Sequence, residues 1–347
     1  MALTLEREAA PTVTRHRTFG QDLIAVAVIV VVAAAGYLLF PDNLALLTRL
    51  IAIALLVLSR IPDGTALTSV LSLDLVTGYC GVATLGHAAL FGAGAYAAGI
   101  VSAHYGINDP LLMTLAGIVA GAVAGLICGV VILRAHGLPQ LVLSIALIYL
   151  FHEFANKASS WTGGSDGLSG ISADPLFGTF EFDLYGHTAY IYGVALLLIT
   201  LVLLRILVRS PFGMLCRGIR QDPLRIRAMG ASPKMALIKM YVISGAVAGV
   251  GGALTAISTQ VVGLDSLSFT QSAEALVMLV LGGTGSLFGA LVGTLIFMLF
   301  EDYVSAANPF HWLTLVGALL ILVVLFAPKG IYGTAAAYLA RRREART

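Results

Sequence analysis

The sequence predicts an all-α integral membrane protein with about ten transmembrane passes. Of its 347 residues, 59% are hydrophobic and 11% are charged, whereas roughly a quarter of the residues in a soluble domain are charged. The apolar residues form long uncharged runs, among them 23–40, 75–108, 240–264 and 275–300. A helix needs about 20 mostly apolar residues to cross the hydrocarbon core of a bilayer, so these runs are long enough to span it. They also lack the polar stripe of a surface helix in a soluble protein.

The positions of the basic residues predict which side of the membrane each loop faces, because Lys and Arg concentrate in cytoplasmic loops. They gather in the N-terminal tail (1–21), in the segment 209–239, called here the basic loop, and in the C-terminal tail (334–347). Both termini are therefore expected in the cytoplasm, which requires an even number of passes. The first apolar run follows a polar stretch of about twenty residues and exceeds the usual signal core, so we expect a span there rather than a cleaved signal.

Residues 22–333 are predicted to form the transmembrane domain, with six passes before the basic loop and four after it. The predicted passes are 22–40, 44–59, 82–104, 111–133, 138–155, 187–208, 240–262, 270–283, 286–304 and 310–327. The loop 156–186 would face the side away from the cytoplasm. The pass 270–283 is short and runs into a Gly-Gly-Thr-Gly-Ser sequence at 282–286. This predicts a broken or re-entrant helix, a form tolerated where it is buried in protein or lines a cavity.

Glycine recurs inside the predicted spans and not only in the loops. Of the 38 glycines, Gly117, Gly121 and Gly125 follow each other at four-residue spacing, and Gly245 and Gly249 repeat that spacing later. Small residues four apart let helix backbones approach closely in lipid. The sequence therefore predicts a tightly packed bundle.

Five segments stand out from plain apolar sequence, at 78–96, 161–171, 210–231, 272–289 and 325–331. The first begins Gly-Tyr-Cys-Gly-Val-Ala-Thr-Leu-Gly-His, the third begins Ser-Pro-Phe-Gly-Met-Leu-Cys-Arg-Gly-Ile-Arg, and the fourth ends Leu-Gly-Gly-Thr-Gly-Ser-Leu-Phe-Gly. In this order they resemble the branched-chain amino acid ABC transporter permeases of the LivM type. The resemblance extends from about residue 20 to residue 333.

This resemblance implies a permease of the type II ABC importer fold, with broken or re-entrant helices, in a bacterial inner membrane. Such permeases pair with a second, related permease, are driven by two cytoplasmic ATPase subunits and receive substrate from a periplasmic binding protein. The implied substrate is a branched-chain or other apolar amino acid. Close relatives carry urea, short amides or aromatic acids, and this alternative stays open because specificity rests largely on the binding protein.

The sequence departs from the family pattern at three places. Residues 60–72 look inserted before the first motif, Thr84 stands where the family usually has Ser, and Pro223 lies in a stretch usually filled with helix formers. The inserted stretch contains Pro62 and Gly64, which should end any helix there. We therefore expect a cytoplasmic turn at 60–64, with 65–80 returning partway into the membrane.

The chain lacks the sequence patterns that would let it work as an ATPase or hold a metal. No G-x-x-x-x-G-K-[ST] phosphate loop occurs, so we expect the chain to be no enzyme and ATP to be used by the partner subunits. The three cysteines, Cys80, Cys128 and Cys216, are too far apart for a metal spacing. We expect no cofactor, no metal and no nucleic acid partner, and we interpret the basic tails as topology anchors at the lipid membrane.

The basic loop is predicted to couple the chain to an ATPase. A short helix from about 214 to 229 would present its arginines to water, while Leu215, Ile219, Ile226 and Met229 pack. So long a charged loop is not required for orientation, which favours docking over a plain positive-inside anchor. The residues predicted for coupling are Arg217, Ile219, Arg220, Asp222, Arg227, Ala228, Met229 and Gly230.

Ionisable residues inside predicted spans mark a second candidate site, the translocation pathway. His87 is interpreted mainly as a neutral histidine hydrogen-bonded to a neighbouring helix backbone. Glu274 is expected to reach water or to cap a helix, with contact to a substrate amine as the weaker alternative, and the role of Asp74 stays open. The residues predicted for the pathway and its broken helices are Gly86, His87, Gly92, Gly94, Tyr96, Glu274, Gly282, Gly283, Gly285 and Ser286.

The turn-rich segment of the loop 156–186 is a third candidate site. It is predicted either to dock a periplasmic binding protein or to be a plain surface loop. The residues concerned are Gly163, Gly164, Asp166, Gly167 and Gly170.

Two other classes of function fit the sequence less well. A secondary transporter or channel usually buries paired charges for ion coupling, whereas Asp74, His87 and Glu274 are few and unpaired in the sequence. An intramembrane enzyme would need a nucleophile with a base, or a metal cluster. No H-E-x-x-H motif supplies the latter.

Overall fold

The computed structural model of the chain describes residues 65–175 and 187–307, together with isolated positions between 314 and 334. These residues are mostly helical. The helices are α1 (Thr65–Leu73), α2 (His87–Ala103), α3 (Pro110–Ile132), α4 (Leu138–Lys157), α5 (Ser159–Thr162), α6 (His187–Arg209), α7 (Pro211–Gln221), α8 (Pro223–Ala228), α9 (Pro233–Thr259), α10 (Phe269–Gly282) and α11 (Leu287–Ala307). A π-helical segment, Asp74–Tyr79, continues α1 and is called here the π turn.

Four of these helices are long and apolar enough to cross a membrane, namely α3, α4, α9 and the part Ile191–Arg209 of α6. Helices α10 and α11 pass the same test together, but they are bent by 115° at their break, so the pair is a broken span or a re-entrant loop. The described residues thus supply four or five candidate membrane spans. The predicted passes 22–40 and 44–59, the turn 60–64, the N-terminal tail, and most of pass 310–327 and of the C-terminal tail lie outside the described residues.

Two predicted pass boundaries are wrong, and a glycine or a proline explains each. The predicted pass 82–104 is helical only from His87, because residues 81–86 form a non-helical connection that begins with Gly81 at φ +73°. The predicted pass 240–262 already begins at Pro233, inside the predicted basic loop. Proline is favoured at the first helical position, where its fixed φ suits the helix and no N–H is needed.

Short polar caps set the starts of several helices. Asp109 accepts a hydrogen bond from the Leu111 N–H (2.9 Å) at the start of α3, with Pro110 in the first turn. Ser210 does the same for the Gly213 N–H (3.3 Å) at the start of α7. Such side-chain oxygens satisfy N–H groups that have no partner inside the helix.

Helix α9 lies at the centre of the described bundle. In its apolar window 78% of the residues are buried, against 39% in α3, 28% in α4 and 33% in α6. It packs closely on α3 and α2. The outer faces of α3, α4 and α6 keep large apolar side chains exposed, as Val119, Val142 and Leu203 show. That distribution is typical of helices that meet lipid or another apolar partner on one face.

Glycines at the contact of α3 with α9 let the two backbones touch. A Cβ atom at Gly121 would overlap the Gly245 carbonyl oxygen, and one at Gly249 would overlap the Gly117 carbonyl oxygen. Together with Gly125, these residues are called here the glycine interface. The prediction of close packing through small residues is confirmed for these helices.

The predicted single helix over about 214–229 is wrong, because the segment forms two helices, α7 and α8, broken at Asp222. Asp222 has an extended backbone (φ −156°, ψ 97°), and its side chain caps α8 through the Leu224 N–H (2.9 Å). The residue before a proline is disfavoured in the helical region, so Pro223 explains the break. The break resets the helical phase, and Met229, predicted to pack, is 76% exposed.

Candidate functional site

The basic loop reaches the end of the π turn through Arg220 of α7. The Arg220 guanidinium donates a hydrogen bond from Nη1 to the Gly78 carbonyl oxygen. Its aliphatic part passes over Gly81, where a Cβ atom would lie 2.7 Å from the Arg220 Cγ. Carbonyls in the last turn of a helix have no intrahelical partner, and a cation there is favourable. Arg220 is exposed, as the sequence predicted, and its guanidinium also contacts the broken helical segment.

Asp74, at the start of the π turn, ties this segment to the break between α10 and α11. Its side chain is fully buried, and Oδ1 accepts a hydrogen bond of 2.7 Å from the Gly285 N–H. Oδ2 has no hydrogen-bond partner among the described residues. The Arg220 guanidinium lies close enough to attract the carboxylate. A buried charge is costly unless it is paired and hydrogen-bonded, and these two groups offset part of the cost of burying Asp74.

Gly78 and Gly285 make this approach possible. A Cβ atom at Gly78 would overlap both Asp74 Oδ1 and the Gly285 nitrogen. Gly285 has φ +82°, in the left-handed region, and a Cβ there would lie 3.2 Å from Arg220 Nη1. Only glycine therefore fits both positions without displacing the backbone or the charged side chains.

A second arginine of α7 contacts the same segment. The Arg217 guanidinium carbon lies 5.0 Å from the centroid of the Tyr79 ring, a cation–π contact. Beside it, Cys216 is buried, and a hydrogen bond with the Cys80 thiol lowers the pKa of the Cys216 thiol below its usual value. Asp74, Gly78, Tyr79, Arg217, Arg220 and Gly285 are called here the junction.

A partly polar cavity of about 340 Å³ opens at the junction. It is lined by Gly78, Tyr79, Arg217, Arg220, Gln221, Thr284 and Gly285. The cavity therefore lies between the basic loop, the π turn and the α10–α11 break. Within the described residues, no group of three or more His, Cys, Asp or Glu side chains could hold a metal ion.

His87 lies in a second polar cluster, at the start of α2. It is 2% exposed, and its Nε2 shares hydrogen bonds with the hydroxyls of Ser72 in α1 and, at 3.5 Å, Ser244 in α9. The Ser244 hydroxyl also donates to the Ser72 carbonyl oxygen (2.8 Å). Next to the histidine, the Ala88 N–H donates to the Ser272 hydroxyl of α10 (2.8 Å). His87 thus bonds serine hydroxyls and not a helix backbone, and the cluster joins four helices.

The other predicted pathway residues do not gather at one point. Gly94 packs on Gly249, where its Cβ would lie 2.5 Å from the Gly249 Cα. Tyr96 is buried in the core beside α9, and Glu274 is partly buried on α10. Gly86 precedes α2, and Gly92, inside α2, lies against Leu267. Gly282 is the last residue of α10, and Gly283, Gly285 and Ser286 lie in the turn between α10 and α11.

The predicted coupling residues divide between a buried and an exposed set. Ile219 is buried, and Asp222 caps α8. Arg227, Ala228, Met229 and Gly230 are exposed. Two large apolar side chains that were not predicted share this exposure, Met214 (59%) and Leu224 (71%).

The segment 163–170 is an ordered turn fastened to the rest of the chain. Gly163, Gly164, Gly167 and Gly170 all have positive φ, which explains why glycine occupies these positions. Leu168 pairs with Val262 in an antiparallel bridge through hydrogen bonds of 2.8 and 3.0 Å. Asp166 is exposed.

The same segment matches the pattern G-x-S-x-G at residues 163–167, contrary to the expectation that the chain contains no such pattern. In hydrolases this pattern places a serine on a sharp turn between a strand and a helix. Here Ser165 lies in a 3-10 turn between the short helix α5 and the bridge residue Leu168, and its hydroxyl contacts Asp166 at 3.4 Å. The required structural context is missing around this serine, so the match gives no support for an enzyme.

The junction was not predicted as a site from the sequence. Arg217 and Arg220 were predicted for a coupling loop and Gly285 for the pathway, the role of Asp74 stayed open, and Gly78 and Tyr79 had no individual assignment. The Gly-Tyr-x-Gly motif was the available signal. Its two glycines make room for Gly285 and for Arg220, and its tyrosine receives Arg217.

Comparison with known proteins identifies the family of the chain. The family model described as branched-chain amino acid transport system / permease component matches residues 63–325, which is more than half of the chain. No solved structure matches.

Several curated proteins are similar to the chain. The high-affinity branched-chain amino acid transport system permease protein LivM of Escherichia coli (strain K12) is 29% identical over 282 residues, covering 75% of this chain and 66% of LivM. The chain thus spans slightly less than two thirds of that relative's length. The corresponding LivH protein of the same organism is 27% identical over 278 residues, covering 75% of this chain and 88% of LivH. The protein BraD of Pseudomonas aeruginosa is 31% identical over 126 residues, covering 36% of this chain and 41% of BraD.

Proposed function

The chain belongs to the family of branched-chain amino acid transport system permease components, and from that premise we propose that it is the membrane permease subunit of an ATP-driven importer. Its substrate is a branched-chain or other apolar amino acid, as the names of its relatives LivM and LivH suggest. It lies in the inner membrane with both termini in the cytoplasm. It binds no ATP itself, and separate ATPase subunits hydrolyse it.

The observation that carries this proposal is the contact of α7 with the broken helices. A transporter driven by a separate ATPase needs an element outside the membrane that is linked to the helices around the pathway. Helix α7 belongs to the basic loop, and Arg220 joins it to the π turn, which Asp74 joins to the α10–α11 break. A secondary transporter has no evident use for such a connection.

The exposed apolar surface of α7 and α8 is the docking surface for the ATPase. Met214, Leu224 and Met229 are large apolar side chains left in solvent. Arg225 and Arg227 lie between the last two. Apolar side chains of this size become binding anchors when a partner buries them, and surrounding charges orient the partner.

The remaining partners are a second, related permease and a periplasmic binding protein. The exposed apolar faces of α3, α4 and α6 offer surface to a partner permease or to lipid. The ordered turn 163–170 supplies a rigid surface on which a binding protein can dock, because its backbone is fixed by the bridge to Val262.

Reconstitution tests the function. The tagged chain is purified in mild detergent, its co-purifying subunits are identified by mass spectrometry, and the complex is placed in vesicles with its binding protein. We expect a second permease and ATPase subunits, and uptake of radiolabelled leucine that requires ATP. Uptake of leucine, urea, a short amide and an aromatic acid is compared to fix the substrate class. Solute movement by the chain alone without ATP would support a secondary transporter instead.

Docking is tested by Met229→Asp, with Met229→Leu as the matched control. Burying the new carboxylate against the ATPase would be costly, so we expect about tenfold less ATPase to co-purify with the aspartate variant. The leucine variant keeps the apolar contact and should recover the wild-type amount. Equal recovery of the ATPase with both variants would show that Met229 does not belong to the docking surface.

A further inference from the structure

We propose that Arg220 is the residue through which movement of α7 reaches the two broken helical segments, with Asp74 as the shared anchor. The inference rests on the proposed function and names the contact that couples ATP hydrolysis to the pathway. Helix α7 moves with the ATPase, Arg220 pulls on the end of the π turn, and Asp74 carries that displacement to Gly285 at the α10–α11 break.

The contacts of Arg220 make it the link between α7 and the π turn. Its guanidinium donates a hydrogen bond to the Gly78 carbonyl oxygen, at the C-terminal end of the π turn. Its aliphatic part packs on Gly81. Arginine presents several donors in a rigid plane, so its hydrogen bond fixes direction as well as distance. Displacing α7 therefore either displaces Gly78 or breaks this bond.

The position of Asp74 extends the link to a segment far away in the sequence. One carboxylate oxygen accepts a hydrogen bond from the Gly285 N–H, and the Arg220 guanidinium lies near enough to attract the charge of the group. If Arg220 were withdrawn, the fully buried carboxyl group of Asp74 would lose this attraction. The arrangement of α7 and the state of the α10–α11 break are thus energetically dependent on each other, which is the requirement for coupling between sites.

The groups of the junction are packed in direct contact, so a displacement of one group must displace its neighbours. The backbone at Gly78 is so close to Asp74 and Gly285 that no Cβ atom fits between them. Closely packed groups transmit a displacement because they cannot be compressed. The π-helical form of the segment supports a moving role, since such turns are rare and occur frequently at functional sites.

The test measures substrate taken up per ATP hydrolysed by the whole reconstituted importer. Arg220→Gln is compared with the wild type and with Arg134→Gln, which removes an exposed arginine between α3 and α4, outside the junction and the docking surface. We expect the ratio to fall at least about tenfold in Arg220→Gln, because a charge-assisted hydrogen bond is lost. ATP hydrolysis and recovery of the complex should persist, and Arg134→Gln should keep the wild-type ratio.

Combining two substitutions shows whether Arg220 acts through Asp74. If both belong to one link, the ratio in Arg220→Gln with Asp74→Asn should be close to that of the more impaired single variant. Independent, multiplying losses would overturn the role of Asp74. If Arg220→Gln does not assemble, Arg220→Lys replaces it, since it keeps the charge and loses the planar donor.

The outcomes separate this inference from the proposed function. ATP-dependent uptake by the wild type, with an unchanged ratio in the Arg220 variant, would overturn the inference alone. Failure of the wild-type complex to take up substrate with ATP would overturn both. A reduced ratio confined to the Arg220 and Asp74 variants would support the inference.

Discussion

The glycine interface and the junction both depend on glycine, but different groups approach in each. At the interface of α3 and α9, backbone carbonyls touch backbone across two helices, and no charged group takes part. At the junction, glycine makes room for the side chains of Arg220 and Asp74, which bind the backbone of other segments. Glycine thus permits a close contact between two helix backbones in one region. In the other it leaves room for hydrogen bonds of charged side chains, which can be broken.

Stability and coupling between segments therefore depend on different regions of the molecule. Close packing of backbones gains many small dispersion contacts and has one favourable arrangement. A hydrogen bond to a charged group is directional and can be exchanged for another partner, including water. We therefore expect substitutions at the glycine interface to change the fold and substitutions at the junction to change transport.

The largest effect is expected at the glycine interface. Gly121→Leu would force α3 away from α9, because even a Cβ atom overlaps the Gly245 carbonyl oxygen. We expect a loss of about 3 kcal/mol or more in the free energy of unfolding, the upper range for overpacking. Thermal unfolding in detergent measures it. Gly317→Ala is the control, since a Cβ there meets nothing within 4 Å, and equal melting of both variants would contradict the role of the interface.

A smaller effect on stability, with a larger one on transport, is expected at Gly78. Gly78→Ala places a Cβ against Asp74 and Gly285, which must move apart. We expect about 1–3 kcal/mol of destabilisation and loss of most ATP-driven uptake. The measurement pairs a melting curve with uptake in vesicles. Wild-type uptake by this variant would remove the distinction between the two regions.

The smallest effect is expected for the cation–π contact of Arg217 with Tyr79. Arg217→Gln loses an interaction of about 0.5–1 kcal/mol at a partly exposed site. Melting should be nearly unchanged, and uptake should fall less than in Arg220→Gln. Arg217→Lys, which keeps the cation, serves as the control. A stronger effect at position 217 than at 220 would place the main link at the tyrosine ring.

Several residues of the junction were predicted from the sequence as functional residues, but the contacts between them were not. The bonded pair Arg220 and Gly78 is 142 residues apart, and Gly285 and Asp74 are 211 apart. Apolar runs define spans because their length is matched to the bilayer, yet runs that are apolar all round carry no signal for which face meets which helix. For that reason the motifs were assigned to separate roles.

The break in the coupling helix was predictable from two adjacent residues. Asp222 followed by Pro223 is the pattern of an N-cap and a first helical position. The prediction of one continuous helix gave weight to the spacing of apolar residues and so placed Met229 in the packed set. Because α8 starts anew at Pro223, that spacing does not continue across the break.

By itself, the sequence determined that the chain is a helical membrane protein, because the uncharged runs are long enough to span a bilayer and too apolar for water. It also determined that α3 and α9 can pack closely, because their glycines recur at the helical spacing. Only the tertiary structure decided that Asp74 lies at Gly285 and Arg220 at Gly78. Polar contacts between distant segments depend on how the helices are placed in space, and no local pattern in the chain encodes that placement.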